Sequence, residues 1–76
     1  MEIKSVIETT AILCPTQEEF DRIGSLINSE FGMYFNSEWF TSYEEKTCLY
    51  IDGGYSRLSW AEQNSFAIVN SNEILS

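Results

Sequence analysis

There is no histidine in these 76 residues. That removes the side chain most used as a general base near neutral pH and the commonest nitrogen ligand for metals. Cysteine is scarce: Cys14 and Cys48 form no Cys-x-x-Cys pair and have no histidine beside them, so no zinc pattern is met. No signal-peptide pattern is read at the start of the sequence, so an extracellular disulfide is not expected. Both cysteines lie in apolar, strand-like surroundings and read as small buried thiols; a bridge would need neighbouring strands, and nothing demands one. No apolar run approaches the roughly 18 residues of a membrane span, and the expected location is cytoplasmic. Basic residues are few as well. Four Lys and Arg face twelve Asp and Glu, a formal net charge of −8.

Such a charge repels nucleic-acid phosphates and anionic lipid, and attracts basic surfaces. It serves solubility, or it addresses a partner with a basic groove of the kind that normally holds nucleic acid. The apolar share of 43%, with five Phe, four Tyr and two Trp, is ample for a core and too high for a disordered tail. Residues 1–76 make one domain, which is expected to fold without a cofactor. A chain this short buries only about 60–65% of its unfolded surface, so its stability margin is small.

The clearest element is Thr16 to Gly32. Thr16 and Glu19 are spaced as a capping box, Pro15 suits an extended entry, and Gly32 stands where a left-handed residue ends a helix. Phe20, Ile23, Ile27 and Phe31, widened by Leu26, make one apolar face. A strand is expected before it, near residues 6–13, and the strongest strand after it is Thr47–Ile51. Asp52-Gly53-Gly54 then turns the chain into a returning strand, so residues 47–58 predict a β-hairpin. A short helix over 60–64, capped by Ser59, a strand over 66–69 and a closing helical turn over 71–75 complete the order. The fold class is α+β: a small, mainly antiparallel sheet of three or four strands, with one long helix (16–31) packed on a face and a short second helix (60–64). Between them, residues 33–47 carry Tyr34, Phe35, Trp39, Phe40 and Tyr43, either as a lid of core aromatics or as an exposed patch for a partner.

No catalytic set is expected. There is no Gly-x-Ser-x-Gly elbow, and the thiols and serines lack a His partner. Glu18 with Glu19, and Glu44 with Glu45, are sequence neighbours that point apart. No calcium loop is present, and Asp52-Gly53-Gly54 lacks the trailing Lys of a phosphate loop. Two binding sets remain. Glu18, Asp21, Glu30, Glu38, Glu44 and Glu45 would form an acidic face if the fold brings them together. Trp39, Tyr55, Arg57 and Trp60 would form an aromatic and Arg set; beside the glycine amides, Tyr55, Ser56, Arg57 and Trp60 could hold a nucleotide-like anion.

The motifs Cys14-Pro15-Thr16-x-Glu18-Glu19-Phe20, Tyr43 with Lys46-Thr47-Cys48-x-Tyr50-Ile51, Gly54-Tyr55, Phe66-x-Ile68-Val69 and Glu73-x-Leu75 resemble those of a scattered group of small phage-encoded α+β proteins. These mostly lack assigned functions, and no functional residue carries over from them. The resemblance implies a phage protein acting inside a bacterial host, where small acidic proteins often inhibit defence. The expectation is therefore a non-enzymatic acidic interaction protein that blocks a host defence or nucleic-acid-handling protein with a basic surface, by nucleic-acid mimicry in one version. It needs no metal and no cofactor, and contacts neither nucleic acid nor membrane directly. The alternatives are a sponge for a nucleotide signal, and a structural or assembly module that contacts copies of itself.

Overall fold

The computed structural model describes residues 1–33 and 43–76. Its elements are β1 (Thr10–Leu13), α1 (Gln17–Phe31), β2 (Thr47–Leu49), β3 (Tyr55–Arg57), α2 (Leu58–Gln63), β4 (Ala67–Asn70) and α3 (Asn72–Leu75), with short 3-10 turns at Ile3–Ser5 and Glu44–Lys46. The expected α+β class is observed. The four strands lie in the order β3-β2-β1-β4. β1 pairs antiparallel with β2, β2 antiparallel with β3, and β1 parallel with β4, so the sheet is mixed.

The long helix begins at its predicted cap, with the Glu19 carboxylate taking the Thr16 hydroxyl rather than the Thr16 amide of a full capping box. The Thr16 hydroxyl accepts the Glu19 amide at 3.2 Å and donates to the Glu19 carboxylate at 2.8 Å. The other carboxylate oxygen takes the Ser71 hydroxyl at 2.8 Å, tying α1 to the start of α3. Gly32 ends the helix at φ 72°, where a side chain would be strained, and its amide returns to the Asn28 carbonyl at 2.9 Å. Phe20, Ile23 and Ile27 are buried, with Leu26 and Phe31 packed at the margin.

Alternation along the strands divides the core in two. Ile12 and Leu49 meet α1, together with Ile3, Val6 and Cys14. Ala11, Cys48 and Tyr50 meet Ala61 of α2 on the opposite face, edged by Leu13, Leu58 and Phe66. Cys14 and Cys48 are both buried, and although their strands are neighbours they belong to opposite faces. The alternation that buries both thiols also keeps them apart.

Four elements start elsewhere than expected. β1 starts at Thr10 rather than near residue 6, because Ile3 and Val6 are drawn under α1 by a 3-10 turn and the Thr10 amide closes a further turn on Ile7. α2 starts at Leu58, with Arg57 as its cap residue making no side-chain cap bond; Ser59 is not the cap, because Leu58 already packs on the second core half. β4 and α3 each begin one residue later than expected. The aromatic residues Tyr34, Phe35, Trp39 and Phe40, with Glu38, lie outside the described residues.

The shared Glu19 carboxylate gives a test of coupling. Thr16→Ala and Ser71→Ala are each expected to cost about 1 kcal/mol in urea unfolding. In a Glu19→Ala background the Ser71→Ala cost is expected to shrink to less than half; full additivity would show that the three groups do not act together. Ile23→Ala, at a fully buried site, is expected to cost about 3 kcal/mol and to leave little folded protein at 37 °C.

Candidate functional site

α2 is six residues long, too short to cover its face of the sheet. Aromatic rings complete the cover. Tyr50 meets Phe66 with ring centroids 4.9 Å apart and Trp60 at 6.3 Å, both edge-on, and Trp60 lies 5.6 Å from Phe66. At the β3 edge, Tyr43 and Tyr55 are 5.8 Å apart, and the Arg57 guanidinium sits 5.2 Å over the Tyr43 ring. These two groups enclose an open concavity of about 640 Å³, rimmed by Glu8, Asp52, Gly54, Ser59 and Gln63. Trp60 and Tyr55 remain 48% and 42% exposed there, well beyond what a core ring shows. Aromatic edges and faces with one guanidinium are the composition of a binding hot spot.

The polar groups inside are mostly committed to each other. The Tyr50 hydroxyl and Ser56 Oγ are 2.6 Å apart, and Ser56 is buried, so it supports Tyr50 rather than facing a guest. The glycine amides do not form an anion cradle. Gly53, at φ 95°, donates to the Tyr50 carbonyl at 3.1 Å, and Gly54 donates to Asp52 Oδ1 at 2.9 Å. With Glu8 and Asp52 on the rim against Arg57 alone, the lining carries negative charge. That arrangement opposes a phosphate and welcomes a cation.

Some of the acidic residues lie at one end of the sheet. The Cys14 amide donates to the Thr47 carbonyl at 2.9 Å, which sets the Glu44–Lys46 turn at the same end of the sheet as the start of α1. Glu18, Asp21, Glu44 and Glu45 are all exposed there. Glu44 holds a left-handed φ of 53°, and its carbonyl takes the Thr47 hydroxyl at 2.8 Å. Glu30 does not join them. At about 100° and 1.5 Å per residue it lies roughly 18 Å along α1 from Glu18, and on the flank opposite Asp21. Exposed Arg22 and Lys46 also interrupt the acidic end. Glu38 and Trp39 lie outside the described residues.

Of the aromatic and Arg set, the structure thus brings Tyr55, Arg57 and Trp60 together. Tyr43, read from sequence as part of an aromatic lid or partner patch, belongs to the same concavity, as do Tyr50, Phe66 and Glu8, which were not assigned to a site from sequence. Tyr50 had a signal: it is two residues beyond Cys48, on the same strand face. Phe66 and Glu8 had none, since β4 joins β1 only through the parallel pairing.

Among the described residues, no group of three or more Cys, Asp and Glu is placed to hold a metal, and no helix is long and apolar enough to cross a membrane. Comparison with protein-family models, with curated proteins and with solved structures found no match to this chain.

Burial beneath the concavity also sets a pH response. Burial first, then the Glu62 charge, pushes the Cys48 thiol up to about 11. Cys14 is raised chiefly by burial, with the Cys48 and Glu19 charges adding. Burial raises Tyr50 as well, partly offset by its hydrogen bond to Ser56. All three are neutral when protonated, and the unfolded chain gives up its protons first. Their contribution is therefore complete below the ordinary thiol value of 9.0 and is lost as pH climbs toward about 11. Urea midpoints should stay level around neutral pH and fall between about pH 9 and 11, less steeply in Cys48→Ala. A midpoint that holds through that window would contradict the burial of these groups.

Proposed function

We propose that this chain is a non-enzymatic interaction protein that binds and blocks a protein with a basic surface. The observation that carries the reading is the concavity on the α2 face, where half-exposed Trp60 and Tyr55 stand with Arg57 inside a negatively charged rim. Rings of this kind supply contact area at low entropic cost, and the net charge of −8 steers a basic partner toward them. The four carboxylates at the start of α1 and in the Glu44–Lys46 turn extend the negative field beside Tyr43. The resemblance to small phage-encoded proteins supplies a setting, a bacterial host in which the partner is a defence or nucleic-acid-handling factor. Mimicry of a nucleic acid is the narrower form of this reading, and Arg22, Lys46 and the displaced Glu30 weigh against it. The nucleotide-sponge alternative is weakened by the engagement of both glycine amides.

The test is capture from bacterial lysate with the tagged chain, washed at low and then high salt. One basic protein should be retained at low salt and released at high salt, because the steering charges are exposed and screened. Glu18→Gln with Asp21→Asn, Glu44→Gln and Glu45→Gln should weaken its binding by about tenfold, mostly through slower association. Retention of no partner under any condition would remove the reading, and small molecules copurified with the chain would then be sought by mass spectrometry.

A further inference from the structure

We infer, resting on the interaction reading above, that the α2-face concavity is an arginine-receiving site, which seats a guanidinium of the partner on Trp60 and pairs it with Asp52 and Glu8. Three observations carry this further than a generic hydrophobic patch. The concavity already holds one guanidinium on a ring, Arg57 over Tyr43 at 5.2 Å, whereas Trp60 is paired with other rings and is still nearly half exposed. Indole is the strongest of the aromatic partners for a cation, and a planar guanidinium stacks on it where an ammonium makes a point contact. Asp52 spends Oδ1 on the Gly54 amide, which fixes the carboxylate at the rim and leaves Oδ2 for an incoming donor.

Charge selects the guest. Two rim carboxylates outnumber Arg57, and the amides that an anion would need are bonded to the Tyr50 carbonyl and to Asp52. A nucleotide phosphate would meet Glu8 and Asp52, with the Gly53 and Gly54 amides already engaged. An arginine meets two acceptors and a π face. The volume of about 640 Å³ exceeds one side chain, so the arginine enters with the residues on either side of it, as part of an extended segment.

The experiment uses the full chain, isotopically labelled, titrated with a tetra-arginine peptide, with its citrulline counterpart and with AMP while amide and indole resonances are followed. The arginine peptide should produce saturable shifts at Gly54, Tyr55, Arg57 and the Trp60 indole, and the neutral citrulline peptide should not. Asp52→Asn keeps the acceptor for Gly54 and should weaken the response about fivefold. Trp60→Leu should weaken it at least as much, with the remaining amide spectrum confirming the fold. Glu18→Gln with Asp21→Asn should leave the shifts at the concavity in place. Shifts confined to the Glu18 and Glu44 end, absence of shifts, an equal response to citrulline, or a stronger response to AMP at these resonances would each overturn the inference. A lysate partner whose capture ignores Asp52→Asn and Trp60→Leu would overturn it too while leaving the interaction reading intact. Saturable peptide binding by a chain that captures no partner would remove that reading and leave the site chemistry standing.

Discussion

Strand β1 must be covered on both faces, and the rest of the molecule follows from that constraint. Ala11 and Ile12 have no solvent exposure, and they point in opposite directions. One face receives a fifteen-residue helix with a full apolar stripe, closed at its entry by Thr16, Glu19 and Ser71. The other receives six residues of α2 over small side chains, Ala11, Cys48 and Ala61. Small residues let the helix come close, but so short a helix leaves sheet uncovered. Tyr50, Trp60 and Phe66 fill the difference, and rings that fill an edge are left partly in water. The concavity is thus a consequence of unequal cover on the two faces.

The same division explains the cysteines and the alkaline limit. A one-residue step along neighbouring strands sends Cys14 under α1 and Cys48 under α2, so each thiol is a small apolar filler in its own half of the core. Burial opposes a thiolate in either half, and the charges of Glu62 and Glu19 add to that opposition. Proton release at high pH therefore acts against both faces of β1 together.

How much was legible in the sequence depended on the range of the signal. α1 was readable almost to the residue, because its cap, stripe and terminal glycine are all local. The hairpin was readable for the same reason, with Gly53 supplying the positive φ that its turn requires. The parallel seat of β4 beside β1, and with it the arrival of Phe66 and Glu8 at the concavity, depends on a crossover that no local pattern encodes. Tyr55, Arg57 and Trp60 were named together because they are close in the chain; the engagement of the Gly53 and Gly54 amides, which bears on an anion placed among them, appears only in three dimensions. The acidic residues divided for a related reason. Helical phase alone sets Glu30 on another flank from Asp21, whereas the placing of Glu44 and Glu45 at the same end of the sheet as the start of α1 needs the Cys14 to Thr47 strand contact.

The central claim is that partners are engaged through the α2 face and the β3 edge. Hydrogen–deuterium exchange of the full chain, alone and with its captured basic partner, tests it most directly. The account predicts added protection in the Tyr50–Phe66 stretch and around Tyr43, with little change in the middle of α1. Protection confined to α1 and β4, with Trp60 and Tyr55 as open as in the free chain, would contradict it.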